Sequence, residues 1–228
     1  NLQNSSMTYC DINYAGKTNE QAIYLAYTKL TFGHNIVHNS AGLGIKAYGE
    51  SSFVTMENNT INNCATNAIE ISAESIHTLG IGNAITCNTG YGILITGGNL
   101  EIASATWLKH TVPYIINAEV GIHSNLTIEA GTTLQFATNG SIYFGWTSNA
   151  QLNAIGTSAM PIIFTSSVAS PAAGAWKGIE FYSNTSTNTI LDYCKFLYAG
   201  KGTDNTRAAV TLNYVNGITI KNCEFKDS

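Results

Sequence analysis

Apolar residues alternate with polar ones in short runs, and the runs recur. A small residue followed by an aliphatic one, any residue and usually another apolar one appears as Ala22-Ile23-x-Leu25, Gly44-Ile45-x-Ala47, Ala68-Ile69-x-Ile71 and Gly92-Ile93-x-Ile95. It returns as Gly121-Ile122, Gly178-Ile179-x-Phe181 and Ala209-Val210-x-Leu212. The anchors at 23, 45, 69 and 93 are 22, 24 and 24 residues apart, and later spacings of 29 and more predict inserted loops. A second alternating segment follows many anchors, as in Leu30-x-Phe32, Val54-x-Met56 and Ile218-x-Ile220. A third, shorter segment often comes next, as in Asn59-Thr60-Ile61 and Glu224-Phe225. Period-two alternation rich in Ile, Val, Thr, Phe and Tyr is the signature of strands. One stretch, 101–111, is predicted to hold a helical turn.

Three short strands in ~20–25 residues suit a solenoid better than a sandwich, because a single rung cannot bury its inward side chains alone. The fold class this predicts is all-β: a right-handed parallel β-helix over 1–228 as one domain, with roughly 8–9 rungs and open ends. His34, Asn58 and Asn222 each follow the second strand of a rung. Asn tolerates the left-handed backbone a sharp corner needs, and stacked Asn side chains can form hydrogen-bonded ladders. These three are the predicted corner and ladder residues.

A longer period overlies the short one. Residues 5–40 recur in degraded form as 189–228: Tyr9-Cys10 as Tyr193-Cys194, Tyr14-Ala15-Gly16-Lys17 as Tyr198-Ala199-Gly200-Lys201, Tyr27 as Tyr214. The offset drifts from 184 to 188, as small insertions in turns would cause. This implies a long repeat of 184–188 residues, cut from a tandem array. Strand-like text reaches both Asn1 and Ser228. Uncapped rungs of this kind are expected to be covered by copies of the same sequence, joined covalently or stacked head to tail.

Composition narrows the function. Charged residues make up 11% of the chain and the net charge is −4, with Arg207 the only arginine. No basic patch for nucleic acid is present, and no apolar run is long enough to span a bilayer. The five cysteines, Cys10, Cys64, Cys87, Cys194 and Cys223, show no metal-ligand spacing and are expected to be buried free thiols acting as small hydrophobes. No metal or cofactor is expected.

Residues 112–200 carry the most recognisable text: Leu126-Thr127-Ile128-Glu129-Ala130-Gly131-Thr132-Thr133-Leu134-Gln135-Phe136, then Leu152-Asn153-Ala154-Ile155-Gly156-Thr157, Pro161-Ile162-Ile163-Phe164-Thr165-Ser166 and Trp176-Lys177-Gly178-Ile179. This resembles the right-handed β-helix repeats of large secreted and cell-surface proteins of bacteria and archaea. The resemblance implies that Gly131 and Gly156 sit in turns and that Trp176 packs against a rung. It carries over no catalytic residue, because no catalytic motif is matched, and it does not choose a function, because the family hosts adhesins, stalks and carbohydrate-active enzymes alike.

No catalytic constellation is legible. The outward positions of the first strand read Tyr24, Lys46, Glu70, Leu94, His123, Glu180 and Thr211, with Lys46 and Glu70 expected to form a surface ion pair. The aspartates, Asp11, Asp192, Asp204 and Asp227, are scattered, and His34 and His38 read as turn residues. Tyr143, Trp146 and Tyr182 are candidate carbohydrate ledges, with inward packing the stronger expectation for each. The leading reading is a non-catalytic, secreted or cell-surface β-helix: a repeat segment of a fibre, stalk, filament or adhesin whose partners are copies of itself and carbohydrate. The alternative is a polysaccharide lyase or glycoside hydrolase with its site in the 97–112 or 168–178 loops, where Glu101, Lys109, His110 and Glu119 would be the residues to test.

Overall fold

A computed structural model describes residues 4–18, 20–49, 51–202 and 208–228; Asp204 and Arg207 lie outside them. The chain divides into two units, residues 1–96 with 110–114, and residues 97–109 with 115–228. Each is built from short parallel strands stacked rung on rung, and the fold is a right-handed parallel β-helix.

In the first unit one sheet holds Asn4–Thr8, Lys29–Gly33 and Ser52–Glu57; a second holds Asp11–Asn13, Ile36–His38, Thr60–Asn62 and Ala84–Ile85. The third holds Gln21–Ala26, Leu43–Tyr48, Ile69–Ile71 and Ile93–Ile95. Here the short sequence period is spatial register: Ile23 pairs with Ile45, and Ile45 with Ile69. Lys46 and Glu70 are register partners on the outer face, with Nζ 2.7 Å from Oε1.

In the second unit one sheet holds Gly98–Leu100, Glu119–Ile122, Ser141–Phe144, Gly178–Phe181 and Val210–Leu212. A second holds Ser104–Trp107, Asn125–Ile128, Gln151–Ile155, Ile190–Asp192 and Thr219–Lys221. The third includes Thr133–Phe136, Ile162–Ser166, Cys194–Leu197 and Glu224–Lys226. Inside this unit Phe164 and Phe196 stack at 4.7 Å, and Phe196 and Phe225 at 5.0 Å. Leu134 is the register partner of Phe164 in this column, and Phe136, the partner of Ser166, lies 6.5 Å from Phe164 in the next column. The buried Trp176 stacks on Phe136 at 4.0 Å, and its Nε1 donates to Leu197 O at 2.8 Å. In-register parallel pairing places like residue above like, so one aromatic per rung becomes a continuous column.

The corners are left-handed. His34, Asn58 and Asn222 have φ of 58°, 57° and 52°, and Gly131 has φ 80°. Gly156 is a different case. A Cβ there would stand 2.8 Å from Tyr193 O and 3.0 Å from Ile162 N, so the glycine permits a close backbone approach rather than a left-handed turn.

The ladder sits one residue later than Asn58. Corner side chains point out, and the next residue points in: Asn58 is exposed and Asn59 buried. Asn59 Oδ1 accepts from Asn35 N at 2.9 Å and Asn35 Nδ2 at 3.1 Å; Asn83 Oδ1 accepts from Asn59 N at 3.1 Å and Nδ2 at 2.9 Å. The column Asn35–Asn59–Asn83 thus satisfies buried amides that the strand ladders leave at the corners. Asn222 instead donates to Asp192 Oδ1 at 2.9 Å. That bond, helped by Lys221, holds the Asp192 carboxyl below the usual range.

The segments 5–40 and 189–228 share their corner geometry. Tyr9 and Tyr193, Tyr14 and Tyr198, Gly16 and Gly200, Tyr27 and Tyr214, His34 and Asn222, and Asn39 and Asp227 all have positive φ. Tyr9 N donates to Gly33 O at 3.2 Å and Tyr193 N to Lys221 O at 3.3 Å, the same bond shifted by 184 and 188.

Three further expectations are corrected. Residues 104–107 form a strand, because Ala105 and Trp107 are buried and Ser104 and Thr106 exposed; the helical turn is instead a 3-10 segment at Ala73–Thr78, packed beside Ser52–Glu57. The later small-aliphatic motifs do not continue the column of Tyr24, Lys46 and Glu70. Glu180 and Thr211 belong to the sheet that begins at Gly98–Leu100, and His123 lies just past the strand Glu119–Ile122.

Third, the thiols are not uniformly buried. Cys64 and Cys194 are buried, Cys87 and Cys223 half-buried, and Cys10 exposed. Cys10 precedes Asp11–Asn13, an edge strand covered on one side only. Burial pushes the Cys64 thiol up to about 11 and also raises Cys87 and Cys194. Because the thiolate is the nucleophile, brief alkylation of reduced native protein is expected to label Cys10 first and to spare Cys64 and Cys194. Early labelling of Cys194 in peptide mass maps would contradict this burial.

Candidate binding cleft

The sheet that begins at Gly98–Leu100 turns its apolar side chains inward: Val120, Ile142 and Ile179 form one buried column, Ile122, Phe144 and Phe181 the next. Between them, on the outer face, register aligns Asn99, Gly121, Tyr143, Glu180 and Thr211. A cleft of about 310 Å³ opens on this face, lined by Glu119, Tyr143, Trp146, Glu180 and Tyr182.

Gly121 is what shapes its floor. A Cβ at Gly121 would collide with Asn99 Oδ1 and Tyr143 Oη, so glycine allows the Tyr143 ring to lie across the neighbouring strand. Tyr143 Oη then donates to Asn99 Oδ1 at 3.3 Å. Burial, followed by the charges of Glu119 and Glu101, raises the Tyr143 pKa, so the phenol stays protonated as a donor. Gly121→Ala is expected to lift Tyr143 off Asn99 and cost ~1–3 kcal/mol as an overpacking change. A lowered melting temperature with altered near-ultraviolet dichroism checks this.

The wall is aromatic. Trp146 is 57% exposed and sits edge-on to Tyr182 at 4.4 Å and 87°. Asn184 fixes its backbone: Nδ2 donates to Gly145 O at 3.2 Å and Trp146 O at 3.3 Å. Tyr182 Oη donates to Glu180 Oε2 at 2.5 Å, and Glu119 faces Lys177 at 3.8 Å. His123 packs its ring against Tyr143 at 6.1 Å and engages Ser148 Oγ through Nδ1 at 2.7 Å.

The residues named from sequence are only partly gathered here. Glu119 lines the cleft, and Tyr143, Trp146 and Tyr182 line it rather than packing inward. Glu101 stands beside it, accepting from Asn99 Nδ2 at 3.4 Å. Lys109 and His110 are elsewhere: Lys109 N donates to Glu129 Oε2 at 2.6 Å, and His110 meets Tyr114 edge-on at 5.7 Å. The cleft lies on a sheet face, not in the 97–112 or 168–178 loops. Gly121 was missed, and Glu180, read as outward but in the column of Lys46 and Glu70, was not connected to Tyr143. A correct register between Glu119–Ile122, Ser141–Phe144 and Gly178–Phe181 would have placed both beside Tyr143.

Fold and cleft together define a right-handed parallel β-helix with an aromatic and acidic hollow on one sheet face. Comparison with known families gives the same class. A pectate-lyase-like β-helix domain matches residues 99–216, and a right-handed β-helix region matches residues 1–106. The chain belongs to the pectate-lyase-like β-helix family. No curated protein and no solved structure matches it. Among the described residues no group of three or more His, Cys, Asp or Glu side chains could hold a metal ion, and no helix is long and apolar enough to cross a membrane.

Proposed function

We propose that the chain is an adhesive, non-catalytic segment of a secreted or cell-surface β-helix that holds carbohydrate in the Trp146 cleft. One observation carries the reading: a half-exposed tryptophan and two tyrosines stand over acceptor carboxylates on a rigid sheet face. Sugars present apolar C–H faces that stack on aromatic rings, and hydroxyls that donate to carboxylates. A sheet fixed by rung stacking keeps both sets of groups in place without an ordering cost on binding. The repeated corner geometry of 5–40 and 189–228 supports the wider role, in which repeats of 184–188 residues extend one solenoid as a stalk or fibre.

The test is a glycan array followed by calorimetry on the best oligosaccharide. Trp146→Ala is expected to weaken binding by roughly thirty-fold, the loss of a ~2 kcal/mol anchor, while the melting temperature holds. Unchanged affinity in Trp146→Ala would remove the cleft from the reading. Glycoside hydrolysis is the second reading, favoured by two carboxylates in one cleft. Polysaccharide turnover that is lost in both Glu119→Gln and Glu180→Gln would put catalysis in place of binding.

A further inference from the structure

Cys194 and Cys223 occupy the same register position on successive rungs. Lys195 pairs with Glu224 and Phe196 with Phe225, so the residues just before them, Cys194 and Cys223, stand directly opposite across one rung step. Both follow a left-handed corner, Tyr193 at φ 49° and Asn222 at φ 52°, and so leave it in the same phase. Their sulfurs lean the same way: Cys194 Sγ reaches Asp192 O at 3.7 Å and Cys223 Sγ reaches Lys221 O at 3.1 Å, each two residues back. Cys223 Sγ also reaches Leu191 O at 3.6 Å, on the rung that carries Cys194. Adjacent strands are ~4.8 Å apart, inside the ~4.4–6.8 Å between Cα atoms that a disulfide spans. Cys10 is different, since its neighbour across the rung is Asn35, whose Oδ1 accepts from Cys10 N at 2.9 Å.

We propose that Cys194 and Cys223 are a modification site: a dithiol that an oxidant of the disulfide class, such as glutathione disulfide, closes into a bridge between successive rungs.

The half-buried Cys223 is the entry point. Its thiolate attacks one sulfur of the oxidant, forming a mixed disulfide and expelling one glutathione thiolate. Cys194 then loses its proton to solvent base, and its thiolate attacks the Cys223 sulfur of the mixed disulfide. The second glutathione leaves as thiolate and takes up a proton. Two S–H bonds are lost, one protein S–S bond forms, and the oxidant is reduced to two thiols. Burial and the neighbouring Cys223 raise the Cys194 thiol, so ionisation of Cys194 gates the second step. Closure should therefore accelerate about tenfold per pH unit on the alkaline side.

The experiment incubates the full chain with glutathione disulfide at pH 7 to 9, quenches with an alkylating agent, and maps peptides by mass. The expected result is a peptide pair linked through Cys194 and Cys223, forming faster at higher pH, with a raised melting temperature that thiol reductant reverses. In Cys223→Ser the link and the shift should both vanish while the protein still folds; in Cys194→Ser, glutathione should stay on Cys223. A stable glutathione adduct on Cys223 in the unaltered chain, or two free thiols after prolonged oxidation, would overturn the proposal.

Discussion

Asn59→Ala is expected to destabilise the first unit by ~3–5 kcal/mol. The estimate follows from what the side chain does. Its Oδ1 takes both the backbone and the side-chain N–H of Asn35, and its Nδ2 gives to Phe32 O at 3.0 Å, Glu57 O at 3.1 Å and Asn83 Oδ1 at 2.9 Å. Asn35 and Asn59 are both buried, so water cannot replace these bonds without opening the rung. Each buried group left unpaired costs ~1–3 kcal/mol. Asn58→Ala, one residue away, is the control. That side chain is exposed, and the change costs only what a left-handed alanine costs, ~1–2 kcal/mol. Denaturant titration of both variants checks the difference. Equal losses would mean that the corner, not the ladder, holds the rung.

Phe164→Ala is the second large effect, with ~3–5 kcal/mol expected. Phe164 is fully buried, in register with Leu134 on one side and Phe196 on the other, and its ring lies 2° from parallel with that of Phe196. Truncation leaves a gap that stacked strands cannot close, because the rung spacing is set by the ladder hydrogen bonds of their backbones. Tyr48→Ala, at an outward position inside a sheet and 51% exposed, should cost about half as much. Equal penalties at the two sites would show that the column does not act through cavity formation.

Much of the fold was legible because a β-helix repeats its physics. The anchors at 23, 45 and 69 are register partners, so their sequence spacing is one rung. What misled is the near identity of motifs on different sheets. Gly178-Ile179 reads like Gly92-Ile93, yet Gly178–Phe181 and Ile93–Ile95 belong to different sheets. Nothing local marks which sheet a strand joins, because all strands alternate alike. The cleft was hidden for the same reason. Glu119 and Glu180 are far apart in sequence and meet only through the stacking of Glu119–Ile122, Ser141–Phe144 and Gly178–Phe181. The ladder was displaced by one residue because alternation alone does not tell the corner residue from the one that follows it.

The left-handed tyrosines carry a consequence for how this chain can change. Tyr9, Tyr14, Tyr27, Tyr193, Tyr198 and Tyr214 occupy a backbone region in which a bulky L residue loses ~1–2 kcal/mol. Asparagine would fill these corners at less cost, as Asn39, Asn58 and Asn63 already do. Tyr14 and Tyr214 are exposed, so the core would not notice the exchange. The scaffold therefore carries slack at its corners. Damaging core substitutions can be offset there one at a time, which gives a lineage of such repeats room to diverge on its outer faces while the interior stays the same.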